Sequence, residues 1–359
     1  MNETYMKLAI ELAGAAAGQT SPNPLVGCVI VKQGEVIGMG AHLKAGEKHA
    51  ERHALAMAGE KAAGAEMYVT LEPCSHTGRT PPCADAVVEA GIKKVYIGSV
   101  DPDSRVAGKG IQKLQNAGIE VVTGVMKEEA DSLNRIFFHY AVNKKPYVTL
   151  KMATSIDGKI ATVDGESQWI TGTAARLDGH KLRHLHDAIL VGIETVLADN
   201  PSLTTRLPQG GKNPLRIVLD SRLRVSKEAT VIKDGGETWI FTTEQADTEK
   251  VEEIRAAGVK LTVVPGFRVP VEEVLIKLGE AEITSLLVEG GGTIHDSFLR
   301  AGILNEIVHY SAPLLIGGNS APQAVSGQGL SRLAEVPRYN LAATEILGDD
   351  MKHVYYRKE

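Results

Sequence analysis

Four residues near the start of this 359-residue chain, His49, Glu51, Cys74 and Cys83, are of types that together can hold a metal and move a proton. One imidazole and two thiolates make a three-ligand Zn2+ site. The fourth tetrahedral position is left for water, the mark of a catalytic rather than a structural site. Glu51 lies too close to His49 to be needed as a ligand and fits better as the proton carrier. At the first turn of a helix, side chains two residues apart both reach a site beyond the helix end, and His49 and Glu51 stand at such a start. Cys83 follows Pro81 and Pro82, where a second helix can begin. Two helix N-termini facing the metal favour thiolate and metal-bound hydroxide.

His-x-Glu followed by Pro-Cys is the signature of zinc deaminases. In that chemistry zinc hydroxide attacks an amidine-like ring carbon, and the Glu delivers the water proton to the ring nitrogen and the leaving ammonia. Two thiolates already neutralise the zinc charge, so the water is less acidic than at an all-His site and a carboxylate base is useful. The cysteines are separated by eight residues, SHTGRTPP, where most nucleoside and nucleic-acid deaminases have two. This longer loop brings His76 and Arg79, a hydrogen-bonding and a phosphate-binding type, beside the metal. His49 and His53 at i, i+4 suggest a metalloprotease helix, but that motif needs Glu directly after the first His, where Ala50 stands. A purely structural zinc site needs a fourth ligand, which His42 or His76 could supply. Cys28, inside LVGCVIV, reads as core.

The elements that must position these residues alternate. A helix with Tyr5, Leu8 and Leu12 on one face precedes a strand at 25–31. Gly34 turns the chain into VIGMGAH, so the first two strands form a hairpin and the sheet is mixed. A helix begins near His49, MYVTLEP (67–73) is a strand, and a helix follows from about Pro82. KKVYIGSV, KGIQKLQNAG and VVTGV continue as strand, helix and strand. A helix from Glu128 ends at Asn143-Lys144-Lys145-Pro146, and proline disfavours helix at the residue before it. The boundary is placed there, giving domains 1–145 and 146–359. The second domain opens with the strand PYVTLKMA. RIVLDS, TWIFTT, KLTVVP and SLLVEGG follow as strands with helices between, and EIVHYSAPLLIGG and KHVYYRKE as late antiparallel strands. Such alternation implies α/β domains with largely parallel sheets. No G-x-G-x-x-G follows the second domain's first strand. Instead VEGGGTIHDSF (288–298) runs from a strand through three glycines into a helix, a cradle for phosphate or simply a tight turn.

Composition agrees. The length suggests two cores, and 43% hydrophobic residues with 37 glycines and 4% aromatics suit α/β domains with many turns. A net charge of −5 without a basic patch argues for a small substrate rather than nucleic acid. Three cysteines without a signal peptide argue against a disulfide framework. No apolar run approaches the roughly 20 residues of a membrane span, so the expected location is the cytoplasm.

SPNPLVGCVIV, GMGAHLKAGEKHAE, TLEPCSHTGRTPPCADA and DPDSRVAGKGIQKLQNAGIEV closely resemble the deaminase half of the bifunctional riboflavin-biosynthesis deaminase/reductase family. KMATSIDGKIA, SQWITG, the helix with Arg176 and Arg183, and VGIETVLADNPSLTTR resemble its reductase half, in the same order. The resemblance covers nearly the whole chain. It implies a cytidine-deaminase-like α/β/α domain with a mixed sheet, then a dihydrofolate-reductase-like α/β domain using NADPH.

The implied substrate is 2,5-diamino-6-ribosylamino-4(3H)-pyrimidinone 5′-phosphate, deaminated first and then reduced from a ribosyl to a ribityl chain. Asn23, His42, His76, Arg79 and Asp101 would line its pyrimidine or phosphate pocket. Ser167, Arg183, Leu203, Arg206 and Glu289 would hold it in the reductase. Ala153, Trp169, Thr195, Asp199, Ser221 and Gly291, Gly292, Thr293, Ile294, His295, Asp296 and Ser297 would hold NADPH. Arg183 and Arg206 suit a phosphorylated sugar, and Ser221-Arg222, ending RIVLDS, is a place where a 2′-phosphate could dock. Asp103-Ser104 stands where the family commonly has Asn-Pro. Lys151 and Glu289 are candidates for the acid of the reduction. One Zn2+ per chain, NADPH and a homo-oligomer are expected. A different class, a nucleic-acid base deaminase with an accessory domain, is opposed by the charge and the long cysteine loop. A third, a zinc-stabilised binding protein without turnover, would unfold on chelation and release no ammonia.

Overall fold

The computed structural model describes residues 3–75, 81–103 and 107–358. The chain divides into two compact units, Met1–Lys144 and Lys145–Glu359.

The first unit runs α1 (Glu3–Gly14), β1 (Gly27–Lys32), β2 (Glu35–Ala41), α2 (Ala50–Ala58), β3 (Glu66–Leu71), α3 (Cys83–Glu89), β4 (Lys94–Ser99), α4 (Lys109–Asn116), β5 (Glu120–Thr123), α5 (Lys127–Leu133) and α6 (Arg135–Asn143). Its sheet has the order β2-β1-β3-β4-β5. β1 pairs antiparallel with β2 and β3, whereas β3, β4 and β5 are parallel. The sheet is covered on both faces, which is why β1 reads as a continuous apolar run. Cys28 and Ile30 pack with Ala54 of α2, Val87 of α3 and Leu114 of α4. Val29 and Val31 face the other way, onto Met6 and Ala9 of α1. Helix α2 lies tight on β2: a Cβ on Gly38 would sit 2.3 Å from the Ala54 carbonyl oxygen. That contact fixes where the start of α2, and hence His49, points.

The second unit runs β6 (Tyr147–Ser155), α7 (Thr173–Leu185), β7 (Ala188–Gly192), α8 (Ile193–Asp199), β8 (Leu215–Leu219), α9 (Thr230–Lys233), β9 (Thr238–Thr243), α10 (Thr248–Ala256), β10 (Lys260–Val264), α11 (Val271–Glu280), β11 (Ser285–Val288), α12 (Gly292–Ala301), β12 (Glu306–Ala312), β13 (Tyr339–Leu347) and β14 (Asp350–Arg357). The sheet order is β10-β9-β8-β7-β11-β6-β12-β14-β13. β10 through β12 are mutually parallel, and β14 and β13 add antiparallel. Apolar layers cover both faces, one around Leu190, Phe241 and Phe298, the other around Ile189, Val218 and Ile240. Among the described residues no helix is long and apolar enough to cross a membrane.

Four expectations are corrected. The single helix from Glu128 to Asn143 is two helices, broken at Asn134. The Asn134 side chain is buried and pairs with the backbone of Leu25, accepting from its N–H and donating to its carbonyl, both at 2.8 Å. β3 ends at Leu71, before Glu72-Pro73: the Glu72 N–H still bonds the Ser99 carbonyl at 2.9 Å, but Pro73 has no N–H to carry the ladder on. β12 stops at Ala312 and is antiparallel only to β14, being parallel to β6. The strand β13 was not expected; its side chains are almost all exposed, so it carries no alternation of buried and exposed positions to read.

Candidate active sites

His49 is the N-cap of α2, with extended backbone, and Cys83 is the first residue of α3. The His49 Nδ1 lies 3.6 Å from Cys74 Sγ and 3.3 Å from Cys83 Sγ. The three ligand atoms lie within 4.8 Å of one another. The Cys83 backbone N–H donates to Cys74 Sγ at 3.3 Å. Hydrogen bonding from the Cys83 thiol pulls Cys74 down to about 4, against its burial. Cys83 is correspondingly raised, by its hydrogen bond with Cys74 and by burial. The hydrogen bond to Cys74 raises His49. Glu51, in the first turn of α2, is 3% exposed. Burial pushes its carboxyl up to about 7, with His49 and a hydrogen bond from Cys83 acting in opposition. The donor set, two thiolate-forming sulfurs and one imidazole nitrogen beside a buried carboxyl, fits a zinc ion with one position open.

His42 and His49 meet edge to face, centroids 5.2 Å apart. The His42 Nδ1–H donates to the Lys48 carbonyl at 3.1 Å, which leaves Nε2 to accept from the Asn23 amide at 3.0 Å. Burial lowers the His42 pKa, and the Lys48 bond opposes it. His42 is therefore engaged with Asn23, and among the described residues no fourth side chain joins the metal cluster. His76 and Arg79 lie outside the described residues, as does Ser104. Asp101 follows β4, and its carboxylate accepts from the Asp103 N–H at 2.9 Å.

Glu72 was missed by sequence reasoning. Its carboxylate accepts from the backbone N–H groups of Asp101, Gly108, Gly110 and Ile111 at 2.8–3.3 Å. It thus ties the loop that carries Asp101 to the strand end that carries Cys74. Its place directly before Pro-Cys was the available signal, but the partners are about 30 to 40 residues away.

In the second unit the carboxyl ends of the parallel strands open onto a cleft of about 680 Å³, the usual place for a ligand in an open α/β sheet. Thr195, Ser221, Gly291–Ile294 and Ser297 line it. The glycines have distinct duties. Gly290 and Gly192 make room for Ile294, and a Cβ on Gly292 would come 2.6 Å from the Gln323 carbonyl oxygen. Gly291 alone has open space where a Cβ would stand. His295 and Asp296 are buried and hold the 324–329 segment: His295 Nδ1 donates to the Ala324 carbonyl at 2.6 Å, and Asp296 accepts from the Gly329 N–H at 3.3 Å. Burial drops His295 to about 4. Asp199 is exposed at the end of α8. Ala153 sits on β6 opposite Tyr310. Ser167 is half-buried, and Trp169 is 65% exposed with the Arg176 guanidinium 4.5 Å above its ring.

Arg183 on α7 grips Glu289 with two parallel bonds of 3.0 and 2.9 Å and donates to the Thr204 carbonyl at 3.1 Å. Burial alone would raise Glu289, but Arg183 and Lys151 outweigh it and hold the carboxyl at about 2. Leu203 is buried with φ +56°, turning the chain so that the Thr204 carbonyl meets Arg183. Arg206 is exposed, and its backbone N–H donates to His180. Lys151 Nζ lies 5.7 Å from the Tyr310 ring, whose hydroxyl donates to Asp178 at 2.7 Å; Asp178 in turn meets Lys352. This Tyr310–Asp178–Lys352 group was also missed, since its members come from three separated elements.

Residues 1–99 match the cytidine and deoxycytidylate deaminase zinc-binding region, and residues 146–353 match the RibD C-terminal domain. The riboflavin biosynthesis protein RibD of Bacillus amyloliquefaciens is 50% identical over 353 residues, covering 98% of this chain and 95% of its own. The structure of Acinetobacter baumannii RibD superposes with a TM-score of 0.90 at 39% identity, covering 99% of both chains. A diaminohydroxyphosphoribosylaminopyrimidine deaminase/5-amino-6-(5-phosphoribosylamino)uracil reductase from Thermotoga maritima superposes at 0.88 with 38% identity, covering 99% of this chain and 98% of its own. Fold and matches together define a deaminase joined to a reductase, an enzyme with a cytidine-deaminase-like first domain and a reductase-like α/β second domain. The chain belongs to the RibD family, the bifunctional deaminase/reductases of riboflavin biosynthesis.

Proposed function

We propose that the first unit hydrolytically deaminates 2,5-diamino-6-ribosylamino-4(3H)-pyrimidinone 5′-phosphate at a Zn2+ held by His49, Cys74 and Cys83. The second unit then reduces the ribosyl group to a ribityl chain with NADPH. The observation that carries this reading is the convergence of one imidazole nitrogen and two sulfurs within 4.8 Å at two helix starts, with Glu51 buried beside them. When bound, the metal supplies a Lewis acid that makes water nucleophilic near neutral pH. Glu51 carries one proton from the attacking water to the ring nitrogen, then a second from the newly added hydroxyl to the departing amine. The C–N bond breaks, a C–O bond forms, and ammonia leaves. Asn23 and His42, already bonded to each other, present a fixed polar edge next to His49 for the pyrimidine.

When bound in the second unit, NADPH would supply the hydride for the anomeric carbon of the opened sugar, with a proton completing the reduction at the heteroatom. Gly291 at the start of α12 lets the dinucleotide phosphates approach backbone N–H groups. Arg183 uses three of its N–H groups on Glu289 and Thr204, leaving two for a substrate phosphate. Arg206 is a second phosphate partner.

The test supplies the phosphorylated diaminopyrimidine with NADPH and follows both products. Ammonia should appear first and NADPH be consumed in equal amount. NADPH oxidation without prior ammonia release, or ammonia release from single-stranded RNA instead, would refute the reading.

A further inference from the structure

The cleft in the second unit extends well beyond the glycine loop. It follows the carboxyl ends of the strands from β11 across β7 and β8 to the loop between β10 and α11. Neighbouring strands lie about 4.8 Å apart. The end of β8, two strands from β11, is therefore about 10 Å from the start of α12, and β10 lies about 10 Å further on. A dinucleotide with its pyrophosphate at α12 thus carries its adenosine over the ends of β8 to β10.

Two loops close this far end, and one hydrogen bond ties them together. The Ser221 hydroxyl, just past β8, accepts from the Val269 N–H at 3.2 Å. Thr243 clamps the Ser221 carbonyl from β9 at 2.7 Å. Arg222 follows Ser221 and Arg268 precedes Val269, and both arginines line the cleft. Neither has a hydrogen-bond or ion-pair partner among the described residues, and both are exposed. The third arginine on this wall, Arg224, is paired with Glu194. The nearby Asp220 is buried; one carboxylate oxygen accepts from the Val225 N–H at 2.8 Å, and the other has no hydrogen-bond partner among the described residues. Phe267, next to Arg268, is 81% exposed on the same wall. An aromatic ring so exposed, beside two uncommitted guanidinium groups, is suited to a purine and its phosphate.

We infer that Arg222 and Arg268 form a two-armed clamp on the 2′-phosphate of the cofactor, with Phe267 as platform for its adenine, and that this clamp sets the preference for NADPH over NADH. The inference rests on the proposed use of a nicotinamide dinucleotide by this cleft. Ser221 acts as a positioning residue, holding the two arms at one distance. A charge-assisted bond contributes about 1.5–3 kcal/mol, so each arm is expected to change affinity about ten- to a hundredfold.

The probes are 2′,5′-ADP and 5′-AMP, which differ only in the 2′-phosphate, titrated calorimetrically into the full chain. The wild type should bind 2′,5′-ADP at least tenfold more tightly. Arg222→Ala and Arg268→Ala should each weaken 2′,5′-ADP about tenfold or more and leave 5′-AMP within about twofold. Arg268→Lys should restore part of the loss. Equal weakening of both probes, or no weakening of 2′,5′-ADP, would overturn the clamp. A wild type that binds neither probe would instead overturn the cofactor reading. In turnover, the arginine variants should raise KM for NADPH and leave KM for NADH unchanged; a parallel rise in both contradicts the assignment.

Discussion

Arg183→Ala should destabilise the reductase unit in a way that depends on pH. Arg183 and Glu289 form a bidentate pair with side chains 16% and 10% exposed. Removing one partner of a buried pair leaves an uncompensated charge and typically costs about 3–5 kcal/mol. For a domain of this size about 2–4 °C accompany each kcal/mol, so the midpoint should fall by about 6–20 °C at pH 7–8. In the wild type Glu289 is held at about 2, below the ordinary carboxylate value. Its contribution is therefore fully present above about pH 4.3 and is lost as pH falls from there toward 2. Without Arg183, burial pushes the Glu289 carboxyl up, with only Lys151 and His180 left to oppose it. In the variant Glu289 then takes up a proton on mild acidification while the wild-type pair is still intact. The gap in midpoint between the two proteins should narrow from pH 8 to pH 5. Thermal unfolding of both proteins across that range measures it, and Arg183→Ala/Glu289→Gln should regain part of the loss. A gap constant with pH, together with a double variant no more stable than the single one, would refute the argument.

Cys74→Ser and Cys83→Ser should each lose zinc, measured by elemental analysis of the purified protein, and with it ammonia release; full metal occupancy with normal turnover in both would contradict the ligand set. Gly292→Ala and Gly291→Ala should behave oppositely. The first drives a methyl against the Gln323 carbonyl and Ser326, an overpacking worth about 1–3 kcal/mol. The second adds a methyl into open space, so its midpoint stays near wild type while KM for NADPH rises; equal midpoints in the two variants would contradict this division of labour.

The α/β character of both units was legible because their central strands, buried on both faces, read as short apolar runs between helical segments. The His49–Cys74–Cys83 cluster was legible because its members sit in short motifs at helix starts, where spacing constrains geometry. What stayed hidden depends on long-range partners. Asn134 reads as one more helical residue until its bonds to Leu25 are seen. Glu72 reads as a strand residue until four backbone N–H groups from a later loop close on it. The glycine run 290–292 suggested a phosphate loop, but sequence could not separate Gly291, open to the cleft, from Gly290 and Gly292, which relieve packing. The exposed strand β13 left no pattern, and pairing with β14 alone defines it.

The central claim is that two chemically complete sites act in sequence on one chain, and Glu51→Gln tests it most directly. The substitution keeps the shape of the side chain and removes its capacity to carry a proton. Ammonia release should fall by about 10²–10⁴-fold with zinc still bound, while NADPH oxidation continues at the wild-type rate when the deaminated intermediate is supplied. Loss of both reactions in a folded, zinc-loaded Glu51→Gln protein would contradict the account and require a single shared site.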